Sequence, residues 1–459
     1  MPRRPTDRYW NPRAETMSSD EMGALQFERL RKQLAYNYNN SLLYRNKFEQ
    51  ADMKPEDVRS WEDFRRIPLT GKDEQKRAQE ESTAELGHPF GPGTITCAPQ
   101  DRIVRLNSTS GTTGTPTLYA LTQSDVEIMN ELHARRLWMV GIRPGHRVLQ
   151  GLSLSMFTGG LPLSQGIMHA GACAVPVGAD GGTKRVLDFI ELTRPHAFFT
   201  TPSFAQYLLE QSQKLTGKKT SELGIKWLFP VGEPGAGNVE VRKLLSEGFG
   251  GAHVCDQTGG GHAFNGAECL EPPEVYSGMH FTSADYCILE LVDPETREHI
   301  EMKDGAMGEM VMTFLEWEGT PFQRYAYGDL LEVSTGPCQC GRTGVRFKIV
   351  GRSDDMLIVK GVNVFPEAIK AEILKFAPKV TGFFRILLDK PGPSVTPPLK
   401  IKIEYGRGVG EKDVAALEEE MQKDFKETVR VTPKFIWVPA ESIPRETKKT
   451  KLIEVAKTE

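Results

Sequence analysis

Residues 107–117 read Asn-Ser-Thr-Ser-Gly-Thr-Thr-Gly-Thr-Pro-Thr. Ser108, Ser110, Thr112 and Thr113 are interleaved with Gly111 and Gly114, so hydroxyls and backbone N–H groups of a tightly folding loop can converge on an anion. Phosphate suits that donor set; an ordinary Ser/Thr/Gly turn is the alternative left open by the residues alone. It is not the loop of the nucleotide triphosphatases, since the glycines stand too close and no Lys-Ser/Thr follows. Further along, Tyr327-Gly328-Asp329 offers a carboxylate able to accept from two hydroxyls, or a plain hairpin turn. Gly351-Arg352-Ser353-Asp354-Asp355 is a polar break between apolar runs, the composition of a hinge. Ile443-Pro444-Arg445-Glu446-Thr447-Lys448-Lys449-Thr450-Lys451 offers fixed positive charge for a developing anion, or a solvated basic tail. Cys338 and Cys340 stand two apart in a turn, with Cys269 and His280 upstream, which makes a Cys₃His zinc set available beside the alternative of reduced thiols. Cys255 with His262 is a second pairing, and Cys97, Cys173 and Cys287 read as packing residues.

These residues need a scaffold. The apolar runs 103–106 and 118–121 predict strands on either side of the hydroxyl-rich loop, and Asp125–Met139 a helix. Strands at 147–149, 197–201 and 227–231 alternate with helices at 185–193 and 204–215, which predicts parallel α/β layers. The run 172–177 has the pattern of a strand buried on both faces. From Ser18 to about Gln50 the apolar residues recur at helical spacing, with Ser19 or Asp20 as the cap. Beyond Met279 the texture turns to short strands, a small β-rich subdomain. After the polar break, strands at 356–360, 383–388, 399–404 and 434–438 and helices at 367–376 and 411–427 form a compact α+β unit. The expected division is therefore 1–352 and 353–459.

In order and spacing these stretches resemble the adenylate-forming enzymes (acyl-CoA synthetases, luciferases and peptide-synthetase adenylation domains), and within them the phenylacetate–CoA ligase subgroup. The resemblance covers nearly the whole chain and is most specific at Gly351–Met356 and Lys360–Glu367. It implies a large α/β domain followed by a small mobile α+β domain, with Asp354 as the hinge. It implies ATP, Mg²⁺ and coenzyme A as cofactors. It assigns Ser108, Ser110, Gly111, Thr112, Thr113 and Gly114 to the ATP phosphates, Gly232-Glu233-Pro234 to the adenine edge, and Asp256-Gln257-Thr258 to the nucleotide. Asp329 falls to the ribose and Arg352 to the ribose or phosphates. Phe157, Thr158 and Gly159 wall the acid pocket, Lys360 and Gly361 meet the pantetheine arm, and Lys449 is the catalytic lysine, with Lys448 and Lys451 as neighbours in competition. Some members of the subgroup hold a structural zinc with the equivalents of Cys269, His280, Cys338 and Cys340. Two departures stand out: Thr115 replaces the usual lysine of the phosphate loop, and Gly259 the glutamate that usually supports Mg²⁺. The latter leaves Glu233 and Glu268 as unplaced carboxylates.

The implied reaction is activation of a carboxylic acid, aromatic by the subgroup, as its acyl-AMP, followed by transfer to coenzyme A. Loading of a carrier-protein thiol is a second enzyme reading. A nucleotide- or acyl-binding protein without catalysis is a third, prompted by Thr115 and Gly259. With 459 residues, 39% hydrophobic and 26% charged, and a net charge of −4, the chain is long enough for at least two domains. Nothing in the charge suggests a nucleic-acid or membrane partner. The basic Met1–Pro5 precedes no apolar run, so a secretory signal is not expected, and no stretch has the length of a membrane span. Seven cysteines without such a signal favour the reducing cytoplasm. The assembly, a homodimer included, is left open.

Overall fold

The alternating strands and helices between residues 147 and 254 form a five-stranded parallel sheet in the order Cys173–Pro176, Arg147–Gln150, Ala197–Thr200, Trp227–Pro230, His253–Val254. The computed structural model describes residues 7–108, 116–156, 159–233, 235–259, 262–270, 276, 278–360, 362–390, 392–445 and 452–456. Side chains alternate across the sheet as the pleat requires. Val148, Ala197, Phe199 and Phe229 meet the helices Gln123–Met139 and Leu161–His169 on one face. Leu149, Phe198 and Leu228 meet the helices Thr183–Thr193, Pro202–Thr216 and Val239–Gly248 on the other. The strand expected to be buried on both faces is instead the edge of the sheet, paired only with Arg147–Gln150. Cys173 is accordingly exposed and does not pack, while Cys97 and Cys287 are buried. An apolar run reports hydrophobicity but not how many neighbours a strand has.

The N-terminal helical segment is two helices, Ser19–Asn40 and Leu42–Gln50. Ser18, rather than Ser19 or Asp20, caps the first: its hydroxyl accepts from Glu21 N and Glu21 answers at the Ser18 N–H. Ser41 breaks the run because its hydroxyl accepts from Tyr44 N, a new N-cap.

The β-rich region starts earlier than expected, at Gln257–Gly259, and belongs to a nine-stranded sheet. Its first two strands, Gln257–Gly259 and Asn265–Ala267, are short and glycine-bearing, so their sequence carries no period-two signal. In the same sheet Tyr325–Ser334 runs antiparallel to Arg346–Arg352. From Leu357 onward the chain builds a separate core around Ile369, Phe384, Ile401, Met421 and Phe425. A four-stranded sheet in the order Lys434–Val438, Lys400–Tyr405, Val380–Leu388, Ile453–Val455 carries it, with the helices Pro366–Leu374 and Glu411–Thr428. This unit touches the parallel-sheet layer through Leu374, which enters the core beneath Phe204 and Leu245. Ion pairs Arg445–Glu210 (3.2 Å) and Lys214–Glu441 (3.0 Å) cross the same boundary. No described helix is long and apolar enough to cross a membrane.

Candidate active site

Asp329 and Arg352 are directly opposed residues of adjacent strands, so sheet register alone brings them together. Arg352 Nη1 donates to Asp329 Oδ1 at 3.0 Å, while its Nε and Nη2 donate to Asp354 Oδ1 and Oδ2 at 2.7 and 2.8 Å. One guanidinium thus clamps the carboxylate at the strand end and the carboxylate at the start of the polar break. Burial works against the charge on Arg352, but the Asp354 and Asp329 carboxylates outweigh it and raise its pKa. Burial likewise works against Asp354, and Arg352 outweighs it and lowers the carboxyl. Ser353 N donates to Gly328 O at 2.7 Å, which closes the junction. Gly328 has φ of +90°, and a Cβ there would stand 2.8 Å from Arg352 Nη2, so the clamp needs the glycine.

Thr258 lies on the strand Gln257–Gly259, half-buried, and its carbonyl and that of Gly259 each accept from Arg136 Nη1 at 3.0 Å. Gly259 has φ of +109°, and a Cβ there would collide with the Asn265 side chain and lie 2.7 Å from Phe264 O. The backbone here admits glycine and little else, so the glutamate implied by resemblance has no room beside Asn265. Both unplaced carboxylates have protein partners. Glu233 accepts from Ser203 N at 2.7 Å, at the start of the helix Pro202–Thr216. Glu268 holds Arg242 with two bonds of 2.8 and 3.0 Å and accepts from Asp256 N. Asp256, pushed up to about 6 by burial, accepts from the Tyr276 hydroxyl beside Gly237.

Gly232 and Glu233 follow the carboxyl end of the strand Trp227–Pro230, the end at which open parallel sheets bind ligands. Ser108 ends the strand Arg105–Ser108, buried, and its backbone N–H donates to Met156 O. Gly159 presents its carbonyl to Gln150 Nε2 at 2.8 Å. Lys360, with φ of +52°, turns the chain between Leu357–Val359 and Val362–Val364 on the exposed side of the C-terminal unit. Ser110, Gly111, Thr112, Thr113, Gly114, Phe157, Thr158, Pro234, Gly361 and Lys449 lie outside the described residues.

The sulfurs of Cys269, Cys338 and Cys340 and a ring nitrogen of His280 lie within 4.8 Å of one another. Cys269 Sγ is 3.7 Å from Cys338 Sγ, and Cys340 Sγ is 3.4 Å from His280 Nε2, while the buried Nδ1 of His280 has no partner. The alternative pairing of Cys255 with His262 does not form. Cys255 packs with Phe199 and Phe229, whereas His262 sits among Phe314, Phe322 and Tyr327. In that aromatic setting burial pushes His262 down to about 4. Below the ordinary value of about 6.5 an unfolded chain takes up a proton that the folded one refuses, so stability is lost as pH falls from about 6.5 toward 4. His262→Gln should remove about 3 kcal/mol of that loss. Urea midpoints at pH 7 and pH 4.5 for both proteins check it, and an unchanged difference would refute it.

Arg136, Asn265 and Gln150 do not stand out in the sequence. The one available signal was Arg135-Arg136 within the otherwise apolar end of the helix Gln123–Met139, where both prove buried. Arg135 is paired with Asp285, but Arg136 meets carbonyls and His133.

The AMP-binding enzyme family matches residues 33–313, and the AMP-binding enzyme C-terminal domain matches residues 361–454. The chain is similar to a phenylacetate-coenzyme A ligase of Thermus thermophilus, 33% identical over 95% of this chain and 96% of the relative. A phenylacetate-coenzyme A ligase of Escherichia coli is 29% identical over 94% of each. Among solved structures, 2-hydroxyisobutyryl-CoA ligase in the postadenylation state with 2-HIB-AMP superposes with a TM-score of 0.87 at 28% identity, over 99% of this chain and 94% of that one. The same ligase with 2-HIB-AMP and CoA in its thioesterification state gives 0.70 at 29% identity over the same shares. Of these two states, this chain superposes better on the postadenylation one.

Proposed function

We infer the roles of the site residues from one premise: the chain belongs to the AMP-binding enzyme family and is an ATP-dependent, AMP-forming carboxylate–CoA ligase. The observation that carries the assignment is the clamp of Asp329, Arg352 and Asp354 at the junction of the two units. Asp329 has acceptors for both ribose hydroxyls, and Arg352 places fixed charge beside them. Residues 353–459 turn as a unit about Asp354, which brings first Lys449 and then Lys360 and Gly361 to the acyl group. The loop Ser108–Gly114 receives the phosphates, and Thr258 the α-phosphate. Gly232, Glu233 and Pro234 border adenine. Lys449 stabilises the charge that grows as the acid attacks the α-phosphate. Among the described carboxylates, Glu233 accepts from Ser203 N and Glu268 pairs with Arg242. ATP carries Mg²⁺ with few protein ligands, and no step here depends on a protein-held one.

The acid is an aryl carboxylic acid, in line with the relatives. The set Cys269, His280, Cys338 and Cys340 fits structural zinc in ligand type and number, and zinc there would supply no chemistry but fix the loop. No disulfide joins the cysteines among the described residues, which supports a reducing compartment.

The test incubates the protein with ATP, Mg²⁺, CoA and a panel of aryl and short aliphatic acids, and reads acyl-CoA and AMP together by mass spectrometry. Acyl-AMP without thioester would move the acceptor to a carrier protein, and ATP binding without AMP would mean a protein that has lost catalysis. Among Lys448→Ala, Lys449→Ala and Lys451→Ala, only the second should lower pyrophosphate exchange by about a hundredfold. A larger loss in either neighbour would move the role to it.

A further inference from the structure

We propose that the acid carries a hydroxyl group remote from its reacting carboxylate, and that Gln257, Gln150 and Arg136 are the residues that read it. The inference rests on the ligase reading and on Gly159 as a wall of the acid pocket.

The argument begins with the face of the parallel sheet that meets the helices Gln123–Met139 and Leu161–His169. Val148 belongs to that face, so Gln150, two residues on at the carboxyl end of the same strand, does too. Gln257 stands opposite Ala267 in the neighbouring strand pair, and Ala267 packs into the same core as Phe199, Phe229 and Cys255. From above, Arg136 reaches down with its guanidinium 6.0 Å from the Phe199 ring. Gln150 Nε2 is fixed on the Gly159 carbonyl, which ties this cluster to the acid pocket.

These side chains are buried and incompletely bonded. Gln257 is 3% exposed, yet neither its amide nitrogen nor its amide oxygen has a partner. Gln150 Oε1, Arg136 Nε and the hydroxyl of Ser164 are also buried without one. Native interiors rarely leave such groups unmet, and a cluster of them calls for something to complete it. The open positions comprise donors (Arg136 Nε, Gln257 Nε2) and acceptors (Gln150 Oε1, Gln257 Oε1) together. A hydroxyl both donates and accepts, so it answers the set. An ammonium group would meet the guanidinium. A second carboxylate would leave Gln150 Oε1 facing another acceptor. A bare phenyl ring or alkyl chain would leave every one of these groups unpaired. A pocket built to bond a hydroxyl discriminates strongly against the analogue that lacks it.

The experiment measures kcat/KM for AMP release on matched acids: phenylacetate against its ring-hydroxylated derivatives, benzoate against hydroxybenzoates, and short aliphatic acids against their hydroxy acids. In at least one pair the hydroxylated acid should lead by about a hundredfold. Gln257→Leu should bring that ratio to within about threefold. A preference for the plain acid in every pair, or a ratio unmoved in Q257L, overturns the proposal while leaving the ligase reading intact. Absence of AMP and thioester from every acid overturns both. Should Q257L not fold, the wild-type pairs decide the matter alone.

Discussion

Arg352→Ala should slow acyl-AMP formation by about a thousandfold, with Arg352→Lys recovering little of it. The guanidinium makes three bonds to two carboxylates that would otherwise repel each other, and the incoming triphosphate with them. On the proposed assignment, removing it costs fixed positive charge beside the nucleotide and exposes the charge of Asp329 to ATP. Each effect is worth roughly one to two factors of ten, because tenfold in rate needs only about 1.4 kcal/mol. Lysine restores a point charge but cannot span both partners with a planar fork. Asp354 also loses its anchor, so the junction between the units loosens. Pyrophosphate exchange reports the first half-reaction, and CoA transfer from synthetic acyl-AMP reports the second. A loss below about tenfold in exchange would remove Arg352 from the catalytic group.

The clamp also shows what a sequence can and cannot disclose. Asp329 and Arg352 are each recognisable from their motifs, and their meeting follows from strand register, which the alternation of short strands only hints at. Gly259 is different. As a letter it reads as a missing glutamate. In the structure it is a left-handed position beside Asn265, so the departure is a local change of backbone and neighbour together. Gln257 carries a nucleotide assignment from its motif; in the fold its buried side chain shares a sheet face with Ala267, opposite that of Thr258, because a strand sends alternate residues to opposite faces. Arg136 was hidden by its helix: a charge there reads as solvated until the packing of Gly166 against His133 shows that the face is closed. Long periodic elements were legible; short glycine-bearing strands and buried polar residues were not, since their placement depends on distant partners.

The Cys/His cluster carries the second large expectation. Cys340→Ser, or removal of metal by a strong chelator, should cost about 4 kcal/mol and lower Tm by about 10 °C. Four zinc-type ligands from three separate segments meet here, and their convergence closes the loop Cys338–Cys340 onto the strand Met279–Phe281. That loop in turn holds the start of the chain. Tyr9 Oη donates to Cys340 O at 2.9 Å, Arg342 pairs with Glu15 at 2.8 Å with both side chains buried, and Thr343 N donates to Glu15 O. Losing the staple should therefore free the N-terminal segment before it affects the adenylate site, because Asp329 and Arg352 are held by the sheet itself. Trypsin would then cut at Arg8 or Arg13 while AMP release at low temperature persists. Elemental analysis should find about one zinc per chain in the wild type and far less in C340S. A chain that purifies without metal and keeps its Tm in chelator would show that the thiols stand there reduced and unliganded, and that packing alone holds the loop.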